Sequence, residues 1–596
     1  MTGTWLLFIH SLSLGFGWLS FAFAGASVFF LAAFFHEPKA FKKIRSEAGE
    51  IANNAGKKYK FLLLIAAVAA LFAFLFNSHL LEPKADGTYS GGSTWGDLAL
   101  HLSLINNFLA SPNILLEYPV FAGQRLAYPF LTDFFTASLA FQSDLRLALL
   151  VSSIVFSICF VALAYFFAKQ FGGSERGARI AVLLLLFAGG LGTYYLLASG
   201  QGVEAAVQNH SHSFLGDKYN IHFTNFLTDY WLPQRNNLIA FCAMLVVLSL
   251  LWRNRAAKER RPGELLFAGL VLGMTPLFSF HVFVSTLAAV VFSGLFFLDW
   301  KNLKLDWKNW KSFKLLENDL KKIAWFLVPA TLMAVPQIMW SLPQAAGAAG
   351  SIWFRPGWMT GSEGIAAFLL NNFGLLLPLA IISFFKSSPD QKKFYAGFAA
   401  LFLAANLFIF QPWDYDNIKF FFSWLVPTAA LVGGFLGKVY DQGNLKKMLA
   451  IGLAILICLP GFFFVSREAE LSWKLYSNED VAFAEWVNAS TPADAIFLTA
   501  DDHNHPVQSL AGRRVVLGYK GWLWSHGLDY SQREKDVLQM FGGGPEARQL
   551  LEKYNVSFVA VGASERTKLG ANRQFFENNF EKVYDGNGYE VFRASK

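Results

Sequence analysis

The amino-acid sequence predicts a polytopic α-helical membrane protein, with about 12 transmembrane helices, carrying a C-terminal extracytoplasmic α/β domain. Three observations predict it. Hydrophobic residues make up 54% of the 596-residue chain and charged residues only 15%, against about a quarter charged in soluble domains. Apolar stretches near the roughly 20 residues needed to cross a bilayer recur along the chain. After residue 467 the pattern changes to short apolar strands alternating with amphipathic helices.

The spans fall near 5–35, 61–80, 145–168, 180–199, 236–252, 264–279, 281–298, 323–341, 364–385, 394–410, 419–437 and 447–466. The first lacks a basic start and is too long for a cleavable signal peptide. The stretch 264–298 reads either as one long helix or as a tight hairpin. Charge placement orients the bundle. The loop at 36–60 carries Lys39, Lys42, Lys43, Arg45, Lys57, Lys58 and Lys60, and 169–179, 253–261, 301–322, 386–393 and 438–447 are also basic. The alternate loops 78–144, 200–235, 343–363 and 411–418 carry few Lys or Arg. Positive loops stay cytoplasmic, so the second set faces outward, as does the C-terminal region, provided 264–298 is a hairpin.

This divides the chain into three parts. Residues 1–60 are an extra transmembrane helix with a basic cytoplasmic loop. Residues 61–466 are the transmembrane domain, with a large first outer loop at 78–144. Residues 467–596 are a soluble extracytoplasmic domain. There "TPADAIFLTA", "RRVVLGYKG" and "VSFVAVG" read as strands, and "DVAFAEWVNAS" and "GPEARQLLEKYN" as helices, with Pro545 at a helix start. "VYDGNGYEVFRA" reads as a closing hairpin. Cys159, Cys242 and Cys458 lie in apolar runs and read as small hydrophobes. No internal repeat marks the halves of a transporter.

The polar residues that stand out lie on the outer side. In "TWGDLALHLSLINNFL", Asp97 and His101 share one helical face while Leu98, Leu102, Ile105 and Leu109 share another. A carboxylate at a membrane-surface cavity is costly to bury and points to function; the alternatives are a helix cap or a pair with Arg125. Glu117, Arg125, Tyr128 and Asp133 follow in the same loop. Arg235 opens a span behind His222, Asn225, Asp229, Tyr230 and Gln234, and at that depth asks for an anionic partner, whether a ligand or Asp229. Arg355 lies among aromatics in "SIWFRPGWMTG", as a site residue or an interfacial anchor. "FQPWDYDNIKFFFSW" brings Asp414, Asp416 and Lys419 to a span mouth, and His281 sits at the outer end of the 264–298 hairpin. His210 and His212 lack a third ligand for a metal. Asp501, Asp502, His503 and His505 read as a polar turn before they read as ligands. "GYKGWLWSHGLDY" presents Trp522, Trp524 and His526 at a strand end, where α/β domains expose functional loops.

With Asp97 in "WGDLALH" just after a membrane helix, amphipathic helices in a large first outer loop and an outer C-terminal domain, the layout resembles the GT-C class of membrane glycosyltransferases. Protein O-mannosyltransferases, aminoarabinose transferases and oligosaccharyltransferase subunits belong to that class. The resemblance covers most of the chain apart from the extra span 5–35. It implies inverting transfer of a sugar from a polyprenyl-phosphate donor to an extracytoplasmic glycan, lipid or protein acceptor. The setting would be the plasma membrane of a cell that glycosylates its envelope, with the bilayer and no nucleic acid as partner. Asp97 would be the general base, with His101 orienting it or binding phosphate. Arg235, Lys419, Asp414, Asp416, Arg125, Glu117, Tyr128, His222, Gln234, His281 and Arg355 would hold donor phosphate and substrate, since a departing phosphate needs cations and donors. Trp522, Trp524 and His526 would face the acceptor. Many members place a second acid after the first, where this chain has Leu98. A divalent metal (Mg or Mn) at Asp97, Asp414 and Asp416 therefore stays open. A transporter or flippase of lipid-linked glycans, or a non-catalytic binder of them, is the alternative; charges gathered at outer helix ends, not at midspan, favour the enzyme.

Overall fold

The computed structural model describes residues 1–34, 55–255, 261–298, 310–342 and 352–594. The basic residues expected at 39–45 and 301–309 lie outside them. Among the described residues seven helices are long and apolar enough to cross a membrane, and nine if each of two bent pairs counts as one span. The protein is a polytopic helical membrane protein.

Glycine accounts for the main departures from the expected spans. The stretch 5–35 is not one span but two helices, Thr2–Leu14 and Trp18–Phe34, broken at Gly15, whose φ of +78° lies in the left-handed region. The two fold back on each other, with His10 Nε2 3.0 Å from Ser27 Oγ, and Phe8 packs 5.3 Å from Phe130 beside the first outer loop. The stretch 180–199 is the pair Glu175–Phe187 and Gly192–Ala198, bent by 70°, and 364–385 is Ile365–Phe373 and Leu376–Lys386, bent by 92°. The two bends abut. The Leu191 amide donates to Asn371 O at 2.7 Å, and a Cβ on Gly190 would stand 2.5 Å from that same oxygen. The ambiguous stretch 264–298 is two helices, Pro262–Gly273 and Phe280–Phe297, the second capped by Ser279.

The span Asp414–Tyr440 runs through the centre of the bundle, against Leu145–Gly172 and Glu175–Phe187. Small residues make this close approach possible: a Cβ on Gly434 would stand 2.8 Å from Gly172 Cα, and one on Gly433 2.6 Å from Gly177 O. Gly434→Leu must force these backbones apart. We expect it to cost about 1–3 kcal/mol, read as a lower Tm of the detergent-solubilised protein; an unchanged Tm would contradict this packing.

After the last span, Asn444–Glu470, the strand Trp473–Ser477 joins Gly87–Ser90 and Glu82–Lys84 of the first outer loop in one antiparallel sheet. A five-stranded sheet follows, ordered Arg514–Val515, Ile496–Leu498, Phe558–Val561, Tyr589–Arg593, Glu581–Gly586. Its first three strands are parallel and its last two form the antiparallel hairpin. Pro545 opens the helix Pro545–Lys553. This region docks onto the loop after the span Tyr59–His79 by backbone pairing, Val515 N to Pro119 O and Gly518 N to Val120 O, both 2.8 Å. Asn106 and Asn107 donate side-chain hydrogen bonds to Ser509 O and Gly512 O.

Candidate functional site

The helix Trp95–Ala110 begins where three buried elements meet. Thr94, its N-cap, donates to His79 O at the end of the first long span. Glu468, at the end of the last span, accepts from Ser93 N at 2.6 Å and lies 3.0 Å from His79 Nε2. This junction fixes the first turn of the helix, where Asp97 sits.

Asp97 opens onto a cavity of about 700 Å³. The cavity gathers side chains from across the chain: Arg125 and Tyr128 from the loop after the span Tyr59–His79, Gln234 and His281 at span starts, Asp416 and Lys419 at the mouth of the central span, and Trp522, Trp524 and His526 from the C-terminal region. With Tyr230 and His503, twelve residues singled out in the sequence thus line one cavity. Gln234 Nε2 donates to Asp97 Oδ2 at 2.5 Å. Removal from bulk water raises the Asp97 pKa, and Asp416 pushes the same way, while His101, Lys419 and the Gln234 hydrogen bond oppose. Lys419 Nζ lies 3.0 Å from Asp416 Oδ2, both largely buried. Tyr118 OH and His526 Nδ1 are 2.8 Å apart, and the Tyr128 ring lies tilted against the same imidazole, 4.7 Å between centroids. Burial holds the His526 pKa down to about 3, so the ring is neutral at physiological pH.

Two further lining residues were not anticipated. Asn237 accepts from Ser279 Oγ and Tyr230 OH through Oδ1, and Asn236 donates to Tyr128 OH through Nδ2. Their remaining atoms, Asn236 Oδ1 and Asn237 Nδ2, are buried with no partner among the described residues. One free acceptor and one free donor, side by side, suit a polyhydroxylated ligand. Trp95, Gln411, Trp413 and Tyr519 also line the cavity; for the three aromatics the crowding of such residues in the loops was the signal.

Six expected site residues lie elsewhere, each for a physical reason. His101 is fully buried beneath Asp97, its Nδ1 2.9 Å from Asp133 Oδ2, and does not reach the cavity. Arg235 points into the bundle, where Ser153, Thr136 and Ser152 hydroxyls accept its guanidinium hydrogens at 2.6, 3.0 and 3.0 Å. Hydroxyls take the place of the expected anion. Glu117 accepts from Arg514 at 2.5 Å and ties the first outer loop to the C-terminal sheet. Asp414 is engaged by Arg355 on the rim. His222 bonds Asn220 Oδ1 at 2.9 Å, beside Trp358.

The expected metal set is not assembled. Asp414 is taken by Arg355, Asp416 by Lys419, and among the described residues no three His, Cys, Asp or Glu converge. The residues present do not fit a divalent cation. The polar turn behaves as one, with Asp501 and Asp502 taken by Lys520 and Lys568 and His505 by Glu565.

The His101–Asp133 pair makes a separate prediction. Asp133→Ala strands a buried imidazole, so a loss of about 3–5 kcal/mol is expected, read by thermal denaturation in detergent; a loss below about 1 kcal/mol would show the pair to be dispensable.

No family model matches the sequence, and no curated protein matches it. Solved structures do. The Archaeoglobus fulgidus oligosaccharyltransferase, determined with a tethered acceptor peptide containing an NVT sequon, is 12% identical over 91% of this chain and 75% of its own, at a TM-score of 0.50. ArnT from Cupriavidus metallidurans in the apo state is 11% identical over 90% of this chain and 98% of its own, at a TM-score of 0.46. The first likeness extends over both the helical bundle and the C-terminal region. The chain shares the fold of the Archaeoglobus fulgidus oligosaccharyltransferase.

Proposed function

We propose that the protein transfers a sugar from a polyprenyl-phosphate carrier to an extracytoplasmic acceptor, with inversion at the anomeric carbon. The observation that carries this reading is one cavity at the outer ends of the spans that joins a desolvated carboxylate, Asp97, to a cation, Lys419, and to aromatic side chains of the C-terminal region. The reaction balances on these groups. The acceptor oxygen or nitrogen forms a bond to the anomeric carbon as the carbon–oxygen bond to phosphate breaks. The electron pair leaves with the phosphate, and the acceptor's proton passes to the Asp97 carboxylate. Lys419, held by Asp416, stabilises the charge growing on the phosphate. Asn236 and Asn237 meet sugar hydroxyls with their unpartnered atoms. Phe280, Ile338 and Leu342 form the apolar wall along which the prenyl chain leaves for the bilayer. Trp522, Trp524 and His526 face the acceptor, and Tyr118 holds His526 in place.

In this reading residues 467–596 form an outer domain that closes the cavity over its acceptor, 1–60 an added N-terminal element and 61–466 the transfer domain. The basic loops lie in the cytoplasm of a cell whose plasma membrane carries the protein, with twelve membrane segments in all. The test is a donor panel. Purified protein is given a series of polyprenyl-phosphate sugars with a cell-envelope acceptor fraction, and free polyprenyl phosphate is quantified. Release from one donor class names the sugar; no release from any donor, with or without added divalent cation, counts against the proposal.

A further inference from the structure

A second cavity, of about 570 Å³, lies at the other end of the bundle. The central span starts beside the first cavity with Asp416 and Lys419 and reaches the second with Tyr440. The 24 residues between Asp416 and Tyr440 rise about 36 Å, slightly more than the roughly 30 Å of a bilayer's hydrocarbon core. The two cavities therefore open at opposite membrane faces.

The second cavity is built in two parts. At its head are Lys60, Arg176 and Arg179, with Tyr440 beneath the Arg176 guanidinium at 4.1 Å. Asp441 pairs with Arg176 and Glu175 pairs with Lys169, both beside the cavity and not among its lining residues. No carboxylate is among the described lining residues. From this head a groove runs along the helix Asn444–Glu470, from Ile451 to Phe462, about 16 Å at the helical rise. Ile451, Ile455 and Phe462 on its wall are 42%, 57% and 49% exposed. A basic head at the membrane face continuous with an apolar groove of acyl-chain length is complementary to one class of molecule.

We propose that this cavity is a binding site for an anionic phospholipid of the leaflet opposite the first cavity, its phosphate held by Lys60, Arg176 and Arg179 and one acyl chain laid along the groove. The site is separate from the sugar-transfer reading and stands or falls without it.

The test uses the full chain in detergent, stripped of lipid and titrated with phosphatidylglycerol or phosphatidylcholine, with bound lipid counted by native mass spectrometry. The wild type is expected to retain phosphatidylglycerol over phosphatidylcholine by at least about tenfold. The triple variant K60Q/R176Q/R179Q is expected to hold the two within about twofold. Ile455→Trp fills the groove from an exposed position without touching the charges. It is expected to lower retention of both lipids, and it carries the test if the triple variant does not fold. Equal retention of the two lipids by the wild type, a preference that survives in the triple variant, or lipid binding unmoved by Ile455→Trp would each overturn the proposal. Displacement of phosphatidylglycerol by equimolar inorganic phosphate would also overturn it, showing a free-phosphate site instead.

Discussion

Asp97→Asn is expected to lower sugar transfer by about 10²–10⁴-fold, the range that a positioned general base contributes. Asparagine keeps the shape and accepts from Gln234 through its carbonyl oxygen, so folding and donor binding should survive while kcat falls. The pH profile adds a second readout. Desolvation raises the Asp97 pKa, and the base acts only when ionised, so the rate of the wild type should rise with pH through a midpoint above the ordinary aspartate range. In Asp97→Asn that limb should vanish. A variant with near wild-type turnover, or one that keeps the limb, would remove Asp97 from the chemistry.

Lys419→Met carries the second large effect. The ammonium is the cation at the mouth of the central span, held 3.0 Å from Asp416, and the leaving group is a phosphate. Losing one preorganised donor to a developing anion costs about 10²–10³ in kcat. The loss should shrink with a donor whose lipid phosphate leaves more easily, because less charge then needs stabilising. Asp416→Asn separates the roles: it frees Lys419 without removing it and should cost less than Lys419→Met. Equal losses for good and poor leaving groups would assign Lys419 to the bundle's structure and not to the phosphate.

Much of this arrangement was legible in the sequence because a membrane separates chemistry from packing. Polar residues clustered in loops between apolar spans had few places to go but a cavity at the span ends, and Asp97, Gln234, His281, Asp416, Lys419 and Trp522 meet there. What the sequence concealed was partner choice over long separations. The i, i+4 spacing put His101 on the same face as Asp97 but said nothing of Asp133, 32 residues away, which claims the imidazole. Arg235 was expected to need an anion, yet three hydroxyls from two other helices accept from its two terminal nitrogens. The adjacent Asn236 and Asn237 drew no notice, being ordinary letters at a helix start. Their meaning comes from Ser279, Tyr230 and Tyr128, which bond one end of each amide and leave the other without a partner among the described residues. The structure departs from the continuous spans read in the sequence where glycines break helices: Gly15 was visible as a breaker, whereas the mutual packing of the bends at Gly190 and Gly374 depends on the folded bundle.

The most direct test of the central claim is a stoichiometry. Protein in proteoliposomes is given the donor identified by the panel and its acceptor, and two products are counted together: sugar joined to acceptor and free polyprenyl phosphate. Transfer at the Asp97 cavity predicts one of each per turnover, with the transferred sugar's anomeric configuration opposite to that of the donor. Movement of the intact lipid-linked sugar across the bilayer with no lipid phosphate released, or transfer with retained configuration, would contradict it.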